Sequence, residues 1–277
     1  MNLSKRAQEI QASPIRKLMP YANTAKKKGI HVYHLNIGQP DIETPQEMLN
    51  VYHHFDDKVL AYGPSQGVDA YRKSLVKYYQ KHHIQLHEDE IIVTTAGSEA
   101  IIFAMMVTCN VGDEIVVPEP FYTNYNGFAT MAGVHLIPLT TYAETGFALP
   151  GREKIEAVIT DKTRAIMICN PGNPTGTVYS REQMEMLGDI VKQHNLYLIS
   201  DEVYREFVYE GDPAVSALSI KGIENNVIMC DSISKRYSAC GARIGCIVSR
   251  NKELMDSLLK FAQARLCPPT IDQLAAA

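Results

Sequence analysis

The spacing of apolar positions changes along the chain, and the change marks where one kind of structure gives way to another. Between residues 67 and 83, Val68, Tyr71, Leu75 and Tyr78 recur at three- and four-residue intervals, the period of a helix that buries one face. Gly67, just before them, suits its start. After this helix, short β-rich runs follow at Ile91–Thr94, Glu114–Val117, Val134–Pro138, Ala165–Cys169, Tyr197–Ser200, Val227–Cys230 and Ile244–Ser249. None alternates cleanly between apolar and polar, which predicts strands covered on both faces. Helical patterns such as Ser180–His194 separate most of the runs. Strands alternating with helices predict an α/β domain with a largely parallel sheet.

The two ends read differently from this middle. No repeat, low-complexity tract or Gly/Ser linker is visible, so the boundary is set where the pattern changes near Pro40–Pro45. Residues 1–44 are expected to form an N-terminal arm and part of a small domain, and residues 45–277 the large domain. Near the other end, Asn251–Arg265 is helical, Cys267-Pro268-Pro269 interrupts it, and Thr270–Ala277 begins a new helical pattern that stops without a cap. The chain is therefore expected to be a truncated piece whose C-terminal small domain is missing.

Composition narrows the function classes. Hydrophobic residues make up 45% and charged residues 21% of the 277, as in globular proteins, and no apolar run approaches the roughly 20 residues that span a bilayer. The N-terminus is charged and lacks a stretch of signal-peptide length, so a cytoplasmic location is expected. A net charge of -4 offers no field for nucleic acid or anionic lipid, which leaves small molecules as the expected partners. The six cysteines form no CxxC pair and no zinc-type spacing with histidine; no metal is expected, and the thiols are expected to be reduced.

Candidate chemistry concentrates in Asp231-Ser232-Ile233-Ser234-Lys235-Arg236-Tyr237, followed by Gly241-Ala242-Arg243-Ile244-Gly245. A lysine at the end of a buried strand, with two small hydroxyl residues before it and an arginine eight positions later, supplies an amine for an imine and donors for an anion. Three further motifs follow predicted strands: Thr95-Ala96-Gly97-Ser98-Glu99-Ala100, Asn170-Pro171-Gly172-Asn173-Pro174-Thr175-Gly176, and Ser200-Asp201-Glu202-Val203-Tyr204.

Taken together and in this order, these motifs resemble the fold type I, pyridoxal-phosphate-dependent aminotransferases of class I/II, the aspartate aminotransferase-like group, over roughly Asn36 to Gly245. The resemblance implies an α/β large domain with a mixed, mostly parallel seven-stranded sheet between helices, and a homodimeric transferase in which Lys235 carries the cofactor as a Schiff base and acts as general acid/base. It implies that Asp201 faces the pyridine nitrogen, where a carboxylate keeps the ring protonated and a better electron sink. Asn173 and Tyr204 would donate to the phenolic oxygen. Gly97 and Ser98 at a helix start, with Ser232, Ser234 and Arg243, would hold the phosphate. Tyr122 would stack on the ring, with Tyr125 and Phe121 as neighbouring candidates. Gly38, in Asn36-Ile37-Gly38, would approach the substrate carboxylate together with Asn173. Tyr62 would reach the phosphate in the neighbouring subunit.

Plainer roles compete for each: a helix cap for Asp201, a turn for Asn173 and Gly38, a surface ion pair for Arg243. The implied reaction passes an amino group from an amino acid to a 2-oxo acid in two half-reactions with ping-pong kinetics. A lyase or synthase on the same scaffold and a non-catalytic sensor domain are the alternatives. The sensor would need a DNA-binding segment, and no basic stripe or helix-turn-helix pattern precedes Asn36. A nicotinamide-binding protein is disfavoured, because no GxGxxG follows the early strands.

Overall fold

The computed structural model describes residues 1–277. Seven strands form one sheet: β1 (Ile91–Thr95), β2 (Glu114–Glu119), β3 (His135–Thr140), β4 (Thr163–Cys169), β5 (Tyr197–Asp201), β6 (Val227–Ser232) and β7 (Ile244–Val248), in the order β1-β7-β6-β5-β4-β2-β3. β3, β2, β4, β5 and β6 run parallel. β7 is antiparallel to both of its neighbours, so β1 points the same way as β6.

Ten α-helices accompany them. α1 (Lys5–Glu9) and α2 (Met19–Lys27) lie in the arm; α3 (Gln46–His53) and α4 (Asp69–Lys81) precede the sheet; α5 (Ala96–Thr108), α6 (Asn124–Ala132), α7 (Arg152–Glu156) and α8 (Arg181–Gln193) connect strands; α9 (Lys252–Arg265) and α10 (Thr270–Ala276) follow it. Ser180 caps α8 through a capping box with Gln183, and Asn251 caps α9 by accepting from Leu254 N–H; both satisfy donors that a helix start leaves orphaned.

Successive strand residues point to opposite faces, and both faces are covered. Ile91, Val93, Ile166, Ile168, Leu198 and Met229 join a cluster with α4 and α8. Ile92, Ile115, Ala165, Met167, Ile199 and Ile228 join another with α5, α6 and α9. Double coverage explains the unbroken apolar runs in the sequence. β3 departs from that expectation, because it is an edge strand and only Leu139 along it is buried. α4 also departs in detail: Tyr79, not Tyr78, is fully buried beside Tyr71 and Leu75, since Tyr79 finds a buried carboxylate for its hydroxyl. No residue before Met48 is buried, and no helix is long and apolar enough to cross a membrane.

Candidate active site

The carboxyl ends of β1, β2, β4, β5 and β6 share one edge of the sheet, and the motif residues sit in the loops just beyond it. In open α/β sheets this crevice is where ligands bind. The lysine is the centre of the arrangement. Lys235 lies in the turn after β6, half-buried, and its Nζ donates to the Gly38 carbonyl at 2.6 Å, with Cys240 Sγ 3.9 Å away. Two residues read separately from the sequence, 197 positions apart, are thus in direct contact.

The turn that presents Lys235 is pinned by its neighbour. Arg236 donates to the Asp231 carboxylate and, at 3.3 Å, to the Ser232 carbonyl, and its guanidinium stacks on Tyr78 with its centre 4.2 Å from the ring centroid. Asp231 also accepts from Tyr79 Oη at 2.7 Å. Burial alone would raise the Asp231 carboxyl; Arg236 and Arg205 overcome that and hold it below the ordinary carboxylate value. Arg205 in turn pairs with Glu202, whose other oxygen accepts from Ser200 Oγ, Ser216 Oγ and Ala217 N–H. The cluster keeps its four charges matched away from water, as buried ions require.

A set of donors lies beside the lysine. Ser232 and Ser234 are buried with their hydroxyl oxygens 2.7 Å apart. Gly97 and Ser98 open α5, where backbone N–H groups are unpaired and the helix dipole favours an anion. Ala96 enters this helix at φ 61, a strained region for a residue with a side chain. β7 passes so close beneath that a Cβ on Gly245 would stand 2.6 Å from Ala96 C and Asp231 O and 2.7 Å from Gly97 N; only glycine fits. The nearby carboxylates do not oppose an anion: Glu99 accepts from Thr95 N–H and pairs with Arg265, and Asp231 is engaged as above. Arg243, at φ 56, is exposed and donates to the Cys240 carbonyl at 3.0 Å.

Asp201 ends β5. Its carboxylate accepts from Tyr125 Oη at 2.6 Å and from Val203 N–H at 3.3 Å. Burial pushes its carboxyl up to about 6, and the hydrogen bonds from Tyr125 and Val203 oppose that. Tyr125 is fully buried on α6 and meets Tyr122 edge to face, with ring centroids 5.5 Å apart. Burial also raises the Tyr122 hydroxyl, Asp201 adds to this, and the positive charges of Arg243 and Arg16 oppose it. Asn173 Nδ2 donates to Tyr204 Oη at 3.2 Å, so this predicted pair is together, while burial raises the Tyr204 hydroxyl. The other asparagine of that loop does different work: Asn170 is buried, donates to the Val215 carbonyl and accepts from Tyr179 N–H. Tyr62 is 81% exposed and touches none of these groups.

The sequence reading missed Tyr125 as the partner of Asp201, naming it only as an alternative to Tyr122, and missed Arg205 and Arg236 as buried charges. A tyrosine three positions after another at the start of a helix was the available signal for the first. For the arginines no local signal existed.

Fold and edge together define an α/β domain that gathers a lysine, a set of anion donors and a buried carboxylate in the loops at one end of its sheet. Residues 30–277 match the family model for aminotransferase class I and II. An aromatic-amino-acid aminotransferase of Thermococcus litoralis is 30% identical over 283 residues, covering 100% of this chain and 71% of that protein. An aspartate aminotransferase of Pyrococcus abyssi is 31% identical over 281 residues, with the same coverage of 100% and 71%. The crystal structure of the Thermotoga maritima aspartate aminotransferase superposes with a TM-score of 0.93 at 30% identity, over 99% of this chain and 73% of that one. The chain belongs to the class I and II aminotransferases, and amino-group transfer is its reaction class.

Proposed function

We propose that this chain transfers an amino group between an amino acid and a 2-oxo acid with pyridoxal phosphate bound through Lys235, alternating between two half-reactions. The observation that carries the reading is the contact of the Lys235 amine with the Gly38 carbonyl at 2.6 Å, in the turn that follows the buried Ser232 and Ser234 hydroxyls.

The residues present fit that cofactor. Ser232, Ser234, Gly97 and Ser98 offer donors suited to a phosphate, with Arg243 at the rim as the cation. Asp201 offers a buried anion suited to a protonated ring nitrogen. Asn173 and Tyr204 offer an amide and a hydroxyl suited to a phenolate oxygen, and Tyr122 an aromatic face. When bound, the cofactor supplies an electron sink for charge developing at the substrate α-carbon. The chain's own groups do the rest. Lys235 anchors the cofactor and, once freed, carries the proton at the α-carbon through its Nζ. Gly38 and Asn173 present polar groups to the substrate carboxylate, and Asp201 keeps its charge against the ring.

The organisation proposed is an arm at residues 1–44 and a cofactor-binding domain at 45–277, supported by the lack of buried residues before Met48. A homodimer in which Tyr62 serves the neighbouring site is supported by the exposed run of Val59, Leu60 and Tyr62. All six cysteines are free, which suits a cytoplasmic setting. An absorption spectrum tests the reading: with pyridoxal phosphate the protein should show a visible band that an amino acid bleaches and a 2-oxo acid restores. Lys235→Ala should lose both the band and turnover; transamination by that variant at the parent's rate would overturn the assignment.

A further inference from the structure

One arginine outside every motif reaches the helix start that offers the anion donors. α5 opens without a side-chain cap from Thr95, which leaves backbone N–H groups free there. Gly97 in that first turn packs on Ser232, where an added Cβ would stand 3.7 Å from the serine's own. An anion seated at this turn meets a carboxylate of the same helix, because Glu99 curls back and its Oε2 accepts from Thr95 N–H at 2.8 Å. That negative charge lies within roughly 10 Å, about one Debye length, of the Gly97 N–H. Left alone, it would occupy the positive end of the helix dipole and repel a second anion.

Arg265 answers that charge. It is the last residue of α9, and its Nε stands 3.3 Å from Glu99 Oε1, with both side chains only 16% exposed. Its Nη2 donates to the Val93 carbonyl at 3.1 Å and to the Ser65 carbonyl at 3.4 Å. One guanidinium thus ties the first turns of α5 to β1 and to the loop before α4. Its partners include none of the residues assigned to the cofactor.

We propose that Arg265 is a positioning residue for the cofactor's phosphate: by neutralising Glu99 and holding it against Thr95, it keeps the start of α5 open to a second anion. This inference rests on the transamination reading above and deepens it by assigning a residue that governs how firmly the phosphate end is held. The effect belongs to the phosphate alone, so the aldehyde chemistry at Lys235 should not feel it.

The test compares the dissociation constants of pyridoxal phosphate and of pyridoxal, the same aldehyde without the phosphate, by absorption titration of the cofactor-free protein. Parent, Arg265→Met, Arg265→Lys, Glu99→Gln and the double variant Arg265→Met/Glu99→Gln are read side by side. Arg265→Met should weaken pyridoxal phosphate about 3- to 30-fold more than pyridoxal, the range for one charge at a helix start, and high salt should shrink that excess. Arg265→Lys keeps the charge and should recover most of it. Glu99→Gln should shift the preference toward pyridoxal phosphate, and the double variant should return the ratio to within about threefold of the parent's. An equal loss of both aldehydes in Arg265→Met overturns the proposal, since a residue that merely supports the fold would act that way. So does a Glu99→Gln variant that loses pyridoxal phosphate selectively, a result that can be read without the arginine variants if those do not fold. A parent that forms a band with pyridoxal phosphate while Arg265→Met leaves the ratio unmoved would overturn this inference alone. A parent that forms no band would overturn the transamination reading and this inference with it.

Discussion

Asp201 gives the protein a pH dependence that can be worked out in advance. Its carboxyl is raised from the ordinary 3.8 to about 6, first by burial. In that window the folded state binds a proton that the unfolded state has released, so stability falls as pH rises. The stabilising contribution is complete below pH 3.8 and gone above about 6; the 2.2 between them, at about 1.36 kcal/mol for each pH unit, comes to about 3 kcal/mol. About 2 kcal/mol of that is lost above pH 4.5.

Asp201→Asn cannot ionise, so the stability of the cofactor-free parent minus that of this variant should decline by about 2 kcal/mol from pH 4.5 to pH 8, read from urea unfolding at each pH. Tyr125→Phe removes the 2.6 Å hydrogen bond, which favours the charged carboxylate by about 1.5–3 kcal/mol. That variant should therefore be weakened at pH 8 and little changed near pH 4.5, with its decline moved up by about one to two pH units. A parent-minus-variant difference that stays flat with pH for Asp201→Asn, or a Tyr125→Phe profile that superposes on the parent, would refute the reasoning.

Two further substitutions probe the scaffold around the lysine. Gly245→Ala places a methyl group 2.6 Å from backbone atoms of Ala96 and Asp231, which cannot yield as a side chain would. It should cost about 1–3 kcal/mol and, by shifting the start of α5, weaken binding of pyridoxal phosphate in an equilibrium titration. Asp231→Asn leaves Arg236 buried beside a neutral partner and should destabilise the protein by about 3–5 kcal/mol in urea unfolding, whereas Lys235→Ala, which breaks no buried ion pair, should leave the midpoint close to the parent's.

The sheet was legible because its signal is local. Each of the seven apolar runs is a strand, within one or two residues at its ends, since double coverage demands continuous apolar sequence. The site motifs were legible for a related reason: each lies at a strand end, and a strand followed by turn residues can be read in a short window. What could not be read is partnership across the chain. Tyr125 and Asp201 are 76 positions apart, and Tyr79 and Asp231 are 152; nothing near Tyr79 announces a buried acid. Arg205 and Arg236 look like ordinary surface charges until the fold buries them against Glu202 and Asp231. Asn170 and Asn173 stand in identical Asn-Pro contexts, and only the structure separates the one that fixes the loop from the one that faces Tyr204.

The direction of one strand explains why a single stretch of sequence can hold Lys235 and Arg243 at one edge of the sheet. β6 and β7 are antiparallel, so β7 starts at the edge where β6 stops, and residues 233–243 form a connection that never leaves that edge. Lys235 and Arg243 consequently stay on the same side of the sheet. Had β7 run parallel to β6, the chain would have crossed to the opposite edge before re-entering, and Arg243, the residue just before the strand, would lie a strand's length from the lysine. The reversal has a second effect. β1, antiparallel to β7, points the same way as β6, so α5 begins on the same edge and delivers Gly97 and Ser98 beside Ser232. The close passage of Gly245 beneath Ala96 and Gly97 is where the two effects meet, and it makes that glycine a requirement of the site's geometry as well as of the sheet's.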